Sequence, residues 1–266
     1  IARVLVEDMG LETGNRVLLR APNNPMLVAA WFAVLKAGGI CVTTMPMLRA
    51  GELVPLIDKA QVTHALCDAA LAADLDEARK SAASLRAVML FSADGTGARA
   101  LEQAMAGKSA SFDTVDTAAD DVALIAFTSG TTGGPKGTIH FHRDVLAIAD
   151  MFPREMIAIE RDDVFAASPP LAFTFGLGAL VIFPMRYGAS SVLVERFGPD
   201  TMLETIARYR CTGIYTAPTA YRAMLPKVGG YDLSSLRVCV SAGEHLPKAT
   251  WDAWHDATGI QLVDGI

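Results

Sequence analysis

Short apolar runs alternate with amphipathic helical runs along almost the whole sequence. The apolar run at residues 16–19 is followed by a helical pattern over residues 25–37 and then by a second apolar run at residues 40–43. Pro25 at the start of the helical pattern and Gly38 just after it are typical helix boundaries. Strands that alternate with helices of this length form βαβ units. The sequence therefore predicts an α/β fold with mainly parallel sheets flanked by helices.

A polar stretch at residues 95–121, rich in Ala, Ser, Thr and Asp, interrupts this alternation. We predict a surface connection there, with one short helix over residues 98–105. The connection would divide the chain into a first βαβ lobe over residues 1–110 and a second lobe over residues 111–266. The second lobe would start with the apolar strand at residues 122–127, which directly precedes a glycine-rich loop.

Composition excludes several classes of protein. The formal net charge of -6 and the pI of about 5.4 argue against a nucleic-acid binder, which needs a basic face. Hydrophobic residues make up 52% of the chain, so global disorder is excluded. The four cysteines (Cys41, Cys67, Cys211 and Cys239) contain no CxxC pair and indicate reduced thiols in a cytoplasmic protein.

One stretch has the length of a membrane span. Residues 164–185 contain no charged side chain, but Pro169, Pro170 and Pro184 interrupt them, so we predict a buried element of a globular core and no membrane span. No targeting segment is visible. Because the chain starts at Ile1 without Met and stops directly after a strand-like run, we expect it to be part of a longer protein.

Two glycine motifs do not support a nucleotide site. Residues 95–100 fit the pattern G-x-G-x-x-A, but the following helix is short and no second strand ends in an acid at the required distance. The run Gly107-Lys108-Ser109 is similar to the end of a Walker A loop, but Glu102 stands where that loop needs Gly. Both motifs are interpreted as polar loops.

A third glycine motif is much more specific. Residues 128–137, TSGTTGGPKG, follow the strand at residues 122–127 directly. Glycines leave backbone amides uncovered, hydroxyls donate further hydrogen bonds, and Lys136 supplies a point charge, so the loop suits a polyphosphate. It is not a Walker A loop, because Gly137 replaces the Ser or Thr and a strand-like run follows instead of a helix. We interpret the nearby His140 and His142 as strand-end surface or packing groups; the alternative is that they approach phosphates or a metal ion.

At this motif the chain resembles the adenylate-forming superfamily, which includes acyl- and aryl-CoA synthetases, firefly-type luciferases and peptide-synthetase adenylation domains. Residues 14–19, 33–39, 217–219 and 241–244 are also similar to motifs of that superfamily. Residues 215–225 and 241–247 most resemble benzoate- and 2-aminobenzoate-CoA ligases. The resemblance implies a truncated N-terminal domain of an acyl-CoA synthetase, whose second lobe carries the phosphate loop and the start of the adenine and acyl site.

The resemblance also assigns candidate residues for the nucleotide. The candidate catalytic residues are Thr128 and Lys136. The candidate nucleotide-binding residues are Thr128, Ser129, Gly130, Thr131, Thr132, Gly133, Gly134, Lys136 and Gly137 in the loop, and Ser241, Ala242, Gly243, Glu244 and His245 in the later segment. No metal ligand is assigned within the chain, because the family's Mg²⁺-binding Glu, its ribose-binding Asp and its C-terminal catalytic Lys are expected beyond Ile266.

For the acid substrate, the resemblance points to the segment 169–176, which corresponds to an aromatic gate of the family. The candidate substrate-binding residues are Phe173, Phe175, Tyr215, Ala217 and Gly243; the alternative for Phe173 and Phe175 is a purely structural place in the core. No acidic residue lies between Asp163 and Glu195, so a substrate ammonium group would have no partner there. We therefore expect an aromatic carboxylic acid without an α-ammonium group.

The implied activity is a two-step ligation that uses ATP, Mg²⁺ and CoA as a co-substrate. The carboxylate attacks the α-phosphate of ATP to give an acyl-adenylate and pyrophosphate, and the CoA thiol then displaces AMP. The expected partners are small molecules, with no nucleic acid and no membrane, and a homodimer is left open. The alternatives are a catalytically inactive nucleotide-binding module and a CoA ligase for a non-aromatic acid. The chain by itself is expected to bind nucleotide weakly and to form no acyl-CoA.

Overall fold

The computed structural model describes residues 1–93, 95, 97, 99–128 and 134–265. The chain divides into two compact units, Ile1–Val145 and Leu146–Ile266. Each unit is built around one β-sheet with helices packed against it.

The described part of the first unit contains a six-stranded sheet in the order β4-β3-β1-β2-β5-β6. Its strands are β1 (Arg16–Arg20), β2 (Ile40–Thr44), β3 (Val62–Asp68), β4 (Ala87–Phe91), β5 (Val122–Thr128) and β6 (Lys136–Phe141). Its helices are α1 (Pro25–Lys36), α2 (Ala50–Ala60), α3 (Ala72–Arg79) and α4 (Ala100–Ala106), and α5 (His142–Phe152) crosses into the second unit. The first five strands pair in parallel, whereas β6 runs antiparallel to β5.

Local sequence explains how the first unit forms. The Asn24 side chain accepts a hydrogen bond of 3.0 Å from the Leu27 amide and so caps α1, with Pro25 at the first helical position. Leu18 on β1 and Val42 on β2 pack with residues of α2 and α3 in one buried apolar cluster. This packing removes apolar surface from water and fixes the helices on one face of the sheet.

The second unit contains, among its described residues, an all-parallel sheet in the order β11-β10-β9-β7-β8. Its strands are β7 (Val164–Ala167), β8 (Ser190–Val192), β9 (Gly213–Thr216), β10 (Val238–Ser241) and β11 (Leu262–Asp264). Its remaining helices are α6 (Thr174–Leu177), α7 (Phe183–Tyr187), α8 (Pro199–Tyr209), α9 (Pro218–Met224) and α10 (Lys248–Thr258). Short helical turns cover Pro153–Ile157, Gly178–Ile182 and Leu225–Gly230.

The predicted α/β class, with two sets of βαβ units and mainly parallel sheets, is confirmed. The stretch at residues 164–185 is the strand β7 followed by short buried helical turns, as its interrupting prolines indicate. Within the part of the chain that the structure describes, no helix is long and apolar enough to cross a membrane.

The boundary between the units differs from the predicted one. The sequence predicts that the second lobe starts at residue 111, but β5 pairs with β2 through Cys41–Leu124 and Val42–Ile125, and β6 pairs with β5. Both strands therefore complete the first sheet, and the first unit continues to Val145. The strands that carry the glycine-rich loop thus belong to the first unit and not to the second.

Candidate functional site

The base of the glycine-rich loop is a pair of antiparallel strand ends. β5 ends at Thr128 and β6 begins at Lys136, and these two residues are directly opposite each other in the ladder. The Thr128 hydroxyl donates to the Lys136 carbonyl over 3.4 Å, and both side chains are exposed. Because β5 is parallel to β2, the loop leaves the sheet at the carboxyl ends of the parallel strands, where α/β sheets bind ligands.

Opposed residues in an antiparallel ladder project from the same face of the sheet. Thr128 and Lys136 therefore present a hydroxyl and an ammonium group side by side at the base of the loop. The Lys136 side chain forms no ion pair with any described residue, so its charge is free to meet an anion. The predicted residues Ser129, Gly130, Thr131, Thr132 and Gly133 lie outside the described residues.

Gly137 has a packing role in this hairpin. A Cβ atom at this position would lie 2.9 Å from Cγ2 of Ile125 and 3.3 Å from the Phe127 ring on the neighbouring strand. By contrast, a Cβ atom at Gly134 would meet nothing within 4 Å. Gly137 thus lets β6 lie close against β5, which explains one of the loop's glycines without a ligand.

The second candidate segment for the nucleotide follows β10 in the second unit. Ser241 ends the strand and is fully buried, and its Oγ has no hydrogen-bond partner among the described residues. The Ala242 amide donates to the Thr216 carbonyl over 3.3 Å. Gly243 has a φ of +87° and open space around it, a conformation that favours glycine.

The rest of this segment is exposed. Glu244 accepts a hydrogen bond of 3.2 Å from the Thr219 hydroxyl, which ties the segment to α9, and His245 is also exposed. Small residues and a positive φ at the carboxyl edge of a parallel sheet leave a flat backbone surface, on which a planar group can lie.

The predicted substrate residues occupy different environments. Phe173 and Phe175 are half-buried, whereas Tyr215 is only 1% exposed. The Tyr215 ring packs edge-on against Phe175, with ring centroids 6.3 Å apart, and against Phe165 at 5.7 Å. Phe175 and Tyr215 are therefore brought together, and Tyr215 forms the buried back of this aromatic group.

Burial governs the chemistry of Tyr215. Its hydroxyl has no hydrogen-bond partner among the described residues, and burial, reinforced by the negative charge of Asp163, raises the pKa of the phenol well above its ordinary value. Tyr215 is therefore neutral at physiological pH and serves as an apolar surface. Ala217 is half-buried; it lies two residues after Tyr215 in the sequence and immediately precedes α9.

The segment that carries Phe173 and Phe175, residues 169–176, is held by its own backbone; we call it the gate segment. The Phe173 amide donates to the Pro170 carbonyl over 3.0 Å. A Cβ atom at Gly176 would lie 2.1 Å from the Pro170 carbonyl oxygen and 2.5 Å from that of Pro169. Only glycine allows α6 to pack so closely on these two carbonyls.

Sequence reasoning missed two hydroxyl residues at this edge. Ser168, which follows β7, and Thr216, which ends β9, lie with their side-chain oxygens 2.5 Å apart. The Ser168 amide also donates to the Tyr215 carbonyl over 3.1 Å. The available signal was weak: each is a small polar residue directly after a short apolar strand, which is common wherever a strand ends.

The part of the chain that the structure describes contains no preformed metal site. Within the described ranges, no group of three or more His, Cys, Asp or Glu residues is placed to hold a metal ion. Two cavities of about 420 and 280 Å³ in the first unit contain none of the predicted site residues in their linings. The candidate residues lie at the carboxyl edges of the two sheets, one set in each unit.

Comparison with known proteins identifies the family. The fold is an α/β architecture whose first, largely parallel sheet ends in a segment rich in glycine and hydroxyl residues. The chain matches the AMP-binding enzymes over residues 1–266 and belongs to that family.

Its similar relatives include several aryl-CoA ligases. The chain is 37% identical over 183 residues to a benzoate–CoA ligase of Thauera aromatica, covering 66% of this chain and 34% of that protein. It is 30% identical to a 3-hydroxybenzoate–CoA/4-hydroxybenzoate–CoA ligase of the same organism, and the match covers 97% of this chain and 50% of that protein. The solved anthranilate CoA ligase AuaEII in complex with anthranoyl-AMP matches with a TM-score of 0.92 at 29% identity, covering 100% of this chain and 53% of that one. The chain spans no more than about half the length of these curated relatives.

Proposed function

We propose that the protein containing this chain is an ATP-dependent aryl-CoA ligase. Its first step joins an aromatic carboxylate to the α-phosphate of ATP, which gives an aryl-adenylate and releases pyrophosphate. In its second step the thiol of CoA attacks the carbonyl carbon and AMP leaves. The observation that carries the proposal is the hairpin loop with Thr128 and Lys136 at its base, in a chain of the AMP-binding family whose relatives include benzoate and hydroxybenzoate ligases.

The loop's part is to hold the phosphates that leave. The substrate carboxylate is itself the nucleophile, so the protein mainly positions groups and balances charge. Thr128 and the loop hydroxyls would donate hydrogen bonds to the β- and γ-phosphates, and the Lys136 ammonium would neutralise charge that builds up on the leaving pyrophosphate. ATP would bring the Mg²⁺ that screens its phosphates, and no step is assigned to the ion.

The second unit would hold the organic parts of the reactants. Ser241, Ala242 and Gly243 would border the adenine, and Phe173, Phe175, Tyr215 and Ala217 would shape an apolar slot for the aromatic ring. The aromatic packing of Phe175 on Tyr215 and the lack of an acid from residue 164 to residue 194 support an uncharged ring over an amino acid. Such an enzyme would act in the cytoplasm on small molecules.

Kinetics of the Lys136→Ala variant of the full-length protein test this proposal. Loss of one charge-assisted contact with phosphate should weaken ATP use by about 1.5–3 kcal/mol, roughly ten- to a hundredfold in kcat/KM for ATP. The matched control is Lys80→Ala, an exposed lysine that forms a surface ion pair with Glu77 and should leave the kinetics unchanged. If Lys136→Ala formed the adenylate with the wild-type kcat/KM for ATP, the assignment of Lys136 to the phosphates would have no basis.

A further inference from the structure

The hydroxyl pair Ser168–Thr216 connects two segments proposed to bind the acid. Thr216 is fully buried and ends β9, one residue after Tyr215, whereas Ser168 immediately precedes the gate segment at residues 169–176. Their oxygens are 2.5 Å apart, and the Ser168 amide donates to the Tyr215 carbonyl over 3.1 Å. Ser168 is thus attached to β9 by both its side chain and its backbone.

From Ser168 a chain of close contacts leads to the aromatic side chains. Pro169 and Pro170 follow Ser168 directly, and proline fixes their φ angles, so a displacement of Ser168 is passed on to their carbonyls. The Pro170 carbonyl accepts the Phe173 amide at 3.0 Å, and Gly176 lies against both carbonyls with no room for a Cβ atom. Phe175 stands next to Gly176 and packs on Tyr215.

We propose that Ser168 and Thr216 are positioning residues that set acid specificity by fixing where the gate segment leaves β7. The inference rests on the proposed function, because it assigns Phe173 and Phe175 to the acid slot. Neither hydroxyl touches the substrate in this proposal. Their bond holds the two proline carbonyls in place, and these carbonyls hold the aromatic rings that the acid would meet.

The first test is the Thr216→Val variant of the full-length protein, which keeps the shape of the side chain but removes its hydroxyl. We expect the ratio of kcat/KM values for benzoate and 2-aminobenzoate to change about tenfold, the low end of what one apolar contact contributes to discrimination. The KM for ATP should stay at the wild-type value. Thr216→Ser, which restores the hydroxyl, should restore the wild-type ratio.

The matched control is Thr205→Val in α8. Thr205 is also buried and its hydroxyl donates to the Thr201 carbonyl at 2.7 Å, so its loss removes one hydroxyl without touching the gate segment. If Thr216→Val fails to fold, Ser168→Ala serves instead, because Ser168 is only half-buried. An unchanged acid ratio in a folded variant would overturn the inference.

A readout independent of catalysis separates this inference from the proposed function. Amide hydrogen exchange at Phe173, whose N–H is bonded to Pro170, should become faster in Thr216→Val and stay unchanged in Thr205→Val. If the wild-type enzyme forms no aryl-adenylate, the proposed function fails, while the exchange rates still report on the hydroxyl pair. If the amide of Phe173 exchanges at the same rate in Thr216→Val as in the wild type, the positioning role of the hydroxyl pair is overturned.

Discussion

At the scale of single residues, Gly213 lies where the close packing of the second sheet leaves no room for a side chain. A Cβ atom at this position would lie 2.3 Å from the Phe165 ring on the neighbouring strand. Gly213→Ala should therefore destabilise the fold by about 1–3 kcal/mol, as overpacked cores do. Urea unfolding of the chain measures this loss. Gly229→Ala, where nothing lies within 4 Å, is the control and should change the free energy of unfolding by less than about 1 kcal/mol.

His64 makes stability depend on pH. Its ring is buried, with Nε2 3.0 Å from the Met9 carbonyl and Nδ1 2.8 Å from the Thr63 hydroxyl. Burial, helped by the positive charge of Arg86 and opposed by the bond to Met9, lowers the pKa of His64 below its ordinary value of 6.5. His64 therefore binds its proton at a higher pH in the unfolded chain than in the folded chain. Stability falls as the pH drops below about 6.5.

The measurement is the free energy of unfolding at pH 8 and at pH 5.5, for the wild type and for His64→Gln. The wild type should lose stability over this interval, and the variant, which cannot titrate at this position, should lose less. Equal losses in both proteins would show that other groups cause the dependence.

The residues that the sequence predicts and those it misses differ in one physical respect. Thr128 and Lys136 are predicted as site residues because a loop rich in hydroxyls and glycines is itself uncommon, whatever the strand pairing around it. Ser168 and Thr216 were missed because their partnership depends on the register of β7 against β9, which sets Ala167 opposite Tyr215. Register is a property of the folded sheet and leaves no local pattern in the sequence.

At the scale of elements, Arg237 and Asp163 join β10 to the turn before β7. The Arg237 guanidinium donates to both Asp163 carboxylate oxygens and, over 2.9 Å, to the Ile157 carbonyl. Burial alone raises the pKa of Asp163, but hydrogen bonds from Arg237, the Glu160 amide and Thr212 outweigh burial and hold the pKa below its ordinary value. This contribution to stability is present above the unfolded pKa and is lost as pH falls through the folded one.

Arg237→Ala should destabilise the protein by about 1–3 kcal/mol, because it leaves the buried Asp163 carboxylate without its cation. The comparison is Arg154→Ala, which breaks an exposed, solvent-screened pair with Glu155 and should cost much less than Arg237→Ala. Urea titrations of the two variants at neutral pH give both numbers. Equal effects would mean that the burial of Asp163 does not matter.

The helical and strand elements were predicted well where the pattern was long, and less well where it was short. The helix α5 ends at Phe152, because Pro153 lacks the amide that would continue it, and a separate turn covers Pro153–Ile157. β7 was not separated from the apolar stretch after it, because a strand of this length has no distinctive period inside a continuous apolar run.

At the scale of the whole molecule, the boundary between the units shows what composition cannot reveal. The polar stretch at residues 95–121 was interpreted as a division between lobes, but the chain returns from it to the first sheet through β5. The consequence is that the loop proposed to bind phosphate and the segment proposed to bind the acid belong to different compact units.

This division predicts separable effects in the full-length enzyme. Lys136→Ala should change the parameters for ATP and leave the ranking of acids as it is, because the loop is proposed to contact only the phosphates. Phe173→Ala should change the ranking of acids by roughly 1–3 kcal/mol and leave the KM for ATP as it is. Steady-state kinetics with a panel of aromatic and short-chain acids measures both. If Lys136→Ala changed the ranking of acids, the result would contradict the assignment of Lys136 to the phosphates.

The central claim is that the protein activates an aromatic acid as its adenylate. The direct test is to incubate the full-length enzyme with ATP, Mg²⁺ and benzoate, 2-aminobenzoate or a hydroxybenzoate, without CoA, and to detect the product by mass spectrometry. We expect an aryl-AMP and an equal amount of pyrophosphate, and conversion of that aryl-AMP to aryl-CoA when CoA is added. Release of pyrophosphate only with non-aromatic acids, or binding of ATP with no adenylate from any acid, would contradict the claim.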